Sequence, residues 1–196
     1  LADLVTEREL VRWDGAQERA VARRERELGA LTLASEPLPA PGPAQAQPLL
    51  LARVRELGIE ALGLDEAGEQ WRARVAFLYR LAPDAWPDLS DATLLGSLED
   101  WLAPYLGAAR SLSDLRAVDI RACLAGLLPA GGAARLEREA PAAVDVPSGR
   151  RVRLDYRQGP VPVLAVKLQE LFGCAETPAV ARGRVPVLVH LLSPAG

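Results

Sequence analysis

The sequence predicts an α+β protein: a short β segment over residues 1–43, a central helical bundle over 44–141, and C-terminal β-hairpins packed with one helix over 142–196. Three patterns carry this assignment. Charged and apolar side chains alternate with period two in residues 151–156, and apolar side chains recur at helical spacing between residues 50 and 136. Between the first two regions, Pro37-Leu38-Pro39-Ala40-Pro41-Gly42-Pro43 is a stiff, extended linker that marks a boundary.

In the first region Glu9-Leu10-Val11-Arg12-Trp13 precedes a turn-like Asp14-Gly15. Arg19 to Arg26 follows, and Gly29 breaks the run before Ala30-Leu31-Thr32-Leu33. A helix from Ala16 to Leu28 is the rival assignment. Its turns around residues 23–27 offer no apolar stripe to bury, so three short strands are expected.

In the middle region Leu50, Val54 and Leu57 share a helix face that stops at Gly58. Trp71, Val75, Leu78 and Leu81 form another that stops before Pro83. Ser90 is placed to cap a third helix, on which Leu94, Leu98, Trp101 and Leu102 line up until Pro104. Ile120, Cys123, Leu124, Leu127 and Leu128 line a fourth, and Leu136 belongs to a short fifth. Burying each such side chain is worth about 1.5–3 kcal/mol, far more than helix propensity, so these helices need one another.

In the last region Val144 and Val146 lead into the turn composition Pro147-Ser148-Gly149. The strand from Arg151 to Tyr156 then sets Val152, Leu154 and Tyr156 on one face and Arg151, Arg153 and Asp155 on the other. Pro160 and Pro162 are placed to open a helix bearing Val161, Leu164, Ala165, Leu168, Leu171 and Phe172, with Gly173 at its end. A second hairpin is expected from Ala179-Val180-Ala181, the turn Arg182-Gly183-Arg184, and Val185 to Val189. Pro186 lacks a ladder donor and confines its strand to an edge or a bulge.

The chain's 196 residues and 21.0 kDa suit one large domain or two small ones. Its net charge of −3 is unevenly spread: residues 142–196 hold 7 basic and 4 acidic side chains, so this part is +3 and the remainder −6. A basic module beside acidic ones is compatible with an anionic partner without demanding one. Lys167 is the sole lysine, and the abundance of Arg, Ala, Leu, Gly and Pro matches a GC-rich bacterial genome; arginine content alone is therefore weak evidence for nucleic-acid binding.

Cys123 and Cys174 form no CxxC pair and His190 is the single histidine, so neither a zinc site nor a disulfide framework is expected, and a reducing cytoplasm is the simplest setting. The first residues do not have the pattern of a signal peptide, and no apolar run approaches the roughly 20 residues needed to span a bilayer; no membrane association is expected.

No GxxxxGK[ST] loop, DExH motif or GxGxxG turn is present, so no nucleotide cofactor site and no catalytic residue are expected. His190, inside an apolar strand-like run, is better explained as a structural histidine than as a base. Asp145 and Asp155 flank one hairpin, but paired carboxylates without a cleft are a weak signal.

The polar strand faces are more informative. Arg151, Arg153 and Arg157 form one basic surface with Arg182 and Arg184 if the two hairpins adjoin; Arg23, Arg24 and Arg26 form another, with Trp13 near. Arginine grips phosphate through a planar fork and an exposed aromatic stacks on bases, which suits a single-strand binder. Interleaved acids such as Glu25, Glu27 and Asp155 support the alternative of ordinary solvated strands. The acids Asp84, Asp88, Asp91, Glu99 and Asp100, with no base among them, form either a solvated, N-terminally acidic helix or a docking face for a basic protein partner.

Several phrases resemble, in order, the C-terminal part of HrpB-type bacterial DEAH-box ATP-dependent RNA helicases. They are Val21-Ala22-Arg23-Arg24 with Leu28-Gly29-Ala30-Leu31, Trp86-Pro87-Asp88-Leu89-Ser90 with Trp101-Leu102-Ala103-Pro104-Tyr105-Leu106, Ala140-Pro141 with Val146-Pro147-Ser148-Gly149-Arg150, Gln169-Glu170-Leu171-Phe172-Gly173, and Gly183-Arg184-Val185-Pro186 with Leu191-Leu192-Ser193-Pro194-Ala195. The resemblance implies an OB-like β segment, a helical part and a family-specific C-terminal α+β module, downstream of two RecA-like motor domains that use ATP and Mg. The motor motifs match nothing here, so no catalytic residue carries over. The resemblance further implies a fragment that begins inside a β region and stops before the family's tryptophan- and arginine-rich tail. The expected partners are those motor domains and single-stranded RNA.

Overall fold

The three β-like runs at the start of the chain are strands. In the computed structural model β1 (Val5–Asp14), β2 (Arg19–Leu28) and β3 (Leu31–Pro37) form an antiparallel meander in the order β1-β2-β3. Asp14 shapes the first turn by accepting from the N–H groups of Ala16 and Gln17, both at 3.0 Å. The register shifts between Arg26 and Glu27, as at a bulge. An OB fold is a five-stranded barrel; residues 5–37 supply a three-stranded sheet.

The structure describes residues 5–173 and 176–193. They divide into two units: Leu1–Gly63 with Asp91–Cys123, and Leu64–Ser90 with Leu124–Gly196. The helical stretch is thus shared between both.

In the first unit, α1 (Pro43–Leu57) starts on a proline, where no N–H is needed, and buries Ala46, Leu50, Leu51 and Val54. Gly58, at φ +87°, ends it and donates to Val54 O at 2.9 Å. The helix expected from Ser90 to Leu102 is broken into α3 (Asp91–Gly96) and α4 (Leu98–Trp101). At the break Ser97 Oγ donates back to Thr93 O at 2.8 Å, and the buried indole of Trp101 donates to Leu94 O at 3.0 Å. Two short helices follow, α5 (Leu112–Leu115), capped by Ser111, and α6 (Ile120–Ala125), whose last residues pass into the second unit. The β1–β2 turn is held against residues 110–112 by Ala20 N–H to Arg110 O and Leu112 N–H to Glu18 O.

In the second unit, α2 (Glu66–Leu81) is capped by Asp65, whose side chain accepts from Gly68 N–H at 2.7 Å. Its buried face is Trp71, Val75, Phe77 and Leu78, whereas Leu81 is exposed. With it are α7 (Gly132–Glu139) and a four-stranded sheet of β4 (Ala143–Asp145), β5 (Arg151–Asp155), β6 (Val163–Lys167) and β9 (Leu188–Leu192), in the order β4-β5-β6-β9. The edge of Tyr156 meets Phe77 with ring centroids 5.4 Å apart, and Gln70 Nε2 donates to Leu154 O, which fixes α2 to β5.

The helix expected over residues 161–172 is not formed. This segment is the strand β6 followed by a single 3-10 turn, Leu168–Leu171. β6 pairs antiparallel with β5 and parallel with β9, and Val163, Leu164 and Val166 are all buried. Exposed Ala165 shares a face with buried Val163, opposite Leu164 and Val166, so apolar residues run through the strand without a polar alternation and mimic helical spacing. The second hairpin does form, as β7 (Ala179–Val180) and β8 (Val185–Pro186). After Pro186 the chain leaves it: Val187 N–H donates to Pro178 O, Leu188 N–H donates to Pro162 O, and β9 begins.

Candidate nucleic-acid interface

In the first unit the arginines of the β-sheet are matched by glutamates. Arg8–Glu27, Arg12–Glu25, Arg24–Glu9 and Arg26–Glu7 cross β1 and β2 at 2.9 to 3.9 Å. Arg24 is hydrogen-bonded to Glu9, and that bond together with the glutamate's charge raises its pKa. Arg23 donates from Nε to Ser35 Oγ at 2.8 Å and from Nη2 to Ser35 O at 3.3 Å, and Ser35 Oγ donates in turn to the buried Glu25. Arg23 therefore ties β2 to β3. Trp13 is half-buried with its indole nitrogen out of solvent, a poor stacking platform. A phosphate here has to compete with a carboxylate for Arg8, Arg12, Arg24 and Arg26, and with Ser35 for Arg23.

In the second unit β5 turns Val152 and Leu154 inward and leaves Arg151 and Arg153 exposed on its other face, with exposed Arg157 just beyond the strand. Glu66 lies 4.0 Å from Arg153 and 3.5 Å from Arg157. Asp155 accepts from Arg157 N–H at 2.9 Å and from Gln158 at 2.8 Å. Burial works to raise the Asp155 pKa, but these hydrogen bonds and the Arg157 charge outweigh it and hold the group below its ordinary value.

The turn between β7 and β8 places three successive residues at positive φ: Ala181 at 52°, Arg182 at 59° and Gly183 at 78°. For a residue with a Cβ this conformation costs roughly 1–2 kcal/mol. Two anchors hold it. Ala181, fully buried, donates its N–H to Glu139 O at 2.6 Å, and Arg184 donates to Ala181 O from its N–H at 3.3 Å and from Nε at 3.0 Å. The turn aims Arg182 at the side chain of Glu139, whose Oε1 accepts from Nη2 at 2.7 Å and Nε at 3.2 Å. Arg135 Nε lies 3.6 Å from the same oxygen, with its guanidinium carbon 4.9 Å from the centre of the Trp86 ring.

Glu139 is only 4% exposed. Burial works to raise its pKa, but the hydrogen bond from Arg182 and the charges of Arg182 and Arg135 hold it below the usual carboxylate range. Ala82, Arg135, Glu139, Arg182 and Arg184 together line a cavity of about 350 Å³. Arg135 and Glu139 escaped the sequence reading; their i,i+4 spacing was the available signal.

The hairpins do not share a sheet: Arg151 and Arg153 lie on the four-stranded sheet, whereas Arg182 and Arg184 close the two-stranded one. Asp145 pairs with Arg151 and Asp155 with Val163, at opposite ends of β5. His190 is exposed on β9 opposite Ala165. Burial, and then the charge of Asp119, pushes the Cys123 thiol up; Cys174 lies outside the described residues. The acids of the 84–100 stretch are divided between the units, with Glu99 hydrogen-bonded to Arg55. Among the described residues no acidic, histidine and cysteine cluster suits a metal, and no helix is long and apolar enough to cross a membrane.

The family model described as ATP-dependent helicase C-terminal matches residues 101–196, and that of the ATP-dependent RNA helicase HrpB connector region matches residues 4–38. The chain is 38% identical over 193 residues to the ATP-dependent RNA helicase HrpB of Escherichia coli (strain K12), covering 98% of this chain and 24% of that protein. It is similar to the crystal structure of the E. coli DExH-box NTPase HrpB, with a TM-score of 0.76 and 38% identity over 99% of this chain and 24% of that one. A second crystal structure, of the Escherichia coli DEAH/RHA helicase HrpB, gives a TM-score of 0.73 and 37% identity over 96% of this chain and 24% of that one. The chain thus spans about a quarter of the length of these relatives.

Proposed function

Since the chain belongs to the HrpB-type helicases, as their C-terminal region, we propose that it holds or steers single-stranded RNA for RecA-like motor domains, which use ATP and Mg. The chain itself turns over no nucleotide; its part is to position a strand by its phosphates.

One observation carries this reading. β5 is packed by one face against α2 and presents Arg151 and Arg153 from the other, next to Arg157. Guanidiniums on a packed strand lose less freedom on gripping a phosphate than those on a loose tail, and their planar fork suits phosphate oxygens. Glu66 and Asp155 serve as placeholders: they keep Arg153 and Arg157 extended without matching all three positive charges.

The test is fluorescence anisotropy with a labelled single-stranded RNA. Replacing Arg151, Arg153 and Arg157 together by Gln should weaken binding at least tenfold while circular dichroism and unfolding midpoint stay unchanged. Equal affinity of the triple variant and the parent rejects the assignment. A protein-docking role for the 84–100 acids is less well supported, because they are split between units and Glu99 is already engaged by Arg55.

A further inference from the structure

We infer that the cavity around Glu139 is a phosphate site that receives one backbone phosphodiester of the RNA, separate from the β5 arginines. The RNA as source of that phosphate rests on the proposed function; the anion site itself rests on the cavity.

Charge is the first argument. Arg135, Arg182 and Arg184 line a space of about 350 Å³ with a single carboxylate among them. A structural ion pair needs one cation per anion; here Arg135 and Arg182 both meet Glu139, and Arg184 lines the same cavity. The C-terminal end of α7 adds a partial negative charge, which one arginine suffices to offset. Excess positive charge in a concave site draws an anion.

Donor geometry is the second. The contacts to Glu139 and to Ala181 O engage Nε of Arg135, Nε and Nη2 of Arg182, and Nε of Arg184. Each guanidinium has five N–H donors, so most Nη donors remain for tetrahedral oxygens. Glu139 organises the forks, and Trp86 supports Arg135 from below.

The third is the backbone. Ala181 and Arg182 both stand at positive φ, in a turn that brings Arg182 and Arg184 to the same cavity. Strain of this kind concentrates where a side chain must be aimed, at binding sites in particular. A turn needed only for reversal is satisfied by glycine at these positions.

The experiment uses the whole chain and two probes, inorganic phosphate and a labelled single-stranded RNA. Arginine Nε–H resonances in nitrogen-15 spectra report the first, and anisotropy against salt the second. The expected result is that phosphate shifts the Nε–H signals of Arg135, Arg182 and Arg184. Arg182→Gly, which suits the turn's φ, and Arg184→Gln should each make the log–log salt slope for RNA shallower by about 0.7. Glu139→Gln keeps an acceptor oxygen but adds one net positive charge, and should steepen the slope by a similar amount.

If RNA binding depends on the β5 arginines but is untouched by Arg182→Gly, Arg184→Gln and Glu139→Gln, the cavity assignment is overturned and the proposed function stands. If phosphate moves the cavity signals while no RNA binds, the RNA assignment is overturned. If neither probe registers, both fall.

Discussion

Arg74 of α2, only 4% exposed, donates its Nε to the carbonyl of Ala140 at 2.6 Å and its Nη2 to that of Leu136 at 3.4 Å. The final carbonyls of a helix lack intrahelical donors. Here a buried arginine on another helix caps α7, the helix that carries Arg135 and Glu139: it is the donor to Ala140 O and a second donor to Leu136 O, which also accepts from Ala140 N–H at 2.9 Å. Arg74→Met should therefore lower stability by about 2 kcal/mol, the usual cost of leaving a buried carbonyl, here that of Ala140, without its donor. The ion pair of Arg74 with Glu137 is 2.8 Å long, but Glu137 is largely exposed, so Glu137→Ala should cost less than about 1 kcal/mol. Urea unfolding of the two variants measures the contrast.

The strand β6 makes a second contrast. Leu164 is fully buried and Leu168, four residues later, is half exposed. Leu164→Ala should destabilise by roughly 2–5 kcal/mol through the cavity it leaves, and Leu168→Ala by less than about 1 kcal/mol. A helix over 161–172 places both side chains on one buried face and predicts similar losses, so the ratio of the two values decides between them.

These residues also show why the sequence was legible in some places and not in others. The β4–β5 hairpin follows from alternation with one wet face, the β1–β2–β3 meander from Asp14-Gly15, Gly29 and the lack of an apolar helical stripe, and α1 and α2 from stripes that stop at Gly58 and before Pro83. β6 differs from the expected helix because its partners are set by tertiary pairing: β9 is more than twenty residues away, and apolar Val163 and Ala165 opposite Leu164 and Val166 remove the alternation that marks a strand. The candidate site was half legible. Arg182 and Arg184 were marked by their flanking of Gly183, but the carboxylate they converge on, 43 residues earlier, is fixed only by tertiary packing.

Acid should act on the same carboxylate. The folded pKa of Glu139 lies below its unfolded value, so its contribution is complete above the ordinary carboxylate range and is lost as pH falls through the folded pKa. The parent chain should lose more stability between pH 7 and pH 3 than Glu139→Gln does. Urea midpoints at the two pH values check this; identical pH dependence removes Glu139 from the acid response.

Alkali should act through Tyr156, whose hydroxyl donates to Pro141 O at 2.9 Å. Burial pushes its pKa well up. A raised folded pKa contributes stability that is complete below the unfolded value near 10 and is lost above it. Tyr156→Phe should thus cost about 1 kcal/mol at pH 7 and flatten the fall in stability above pH 10, as followed by thermal unfolding.

Arg23 and Arg24 separate structural from binding arginines. Arg23→Gln should reduce stability by about 1 kcal/mol by removing the bonds to Ser35. Arg24→Gln should have almost no effect on it. Neither change should alter RNA affinity by more than twofold in anisotropy titrations, since Arg23 ties β2 to β3 through Ser35 and Arg24 stands among Glu9, Glu7 and Glu36, whose charges repel a phosphate.

The most direct measurement is the affinity of the chain for single-stranded RNA as salt is varied. With the three β5 arginines on phosphates, the logarithm of the binding constant should fall against the logarithm of salt with a slope of about −2 or steeper, roughly −0.7 for each phosphate neutralised. A flat dependence, or no binding at low salt, contradicts the account.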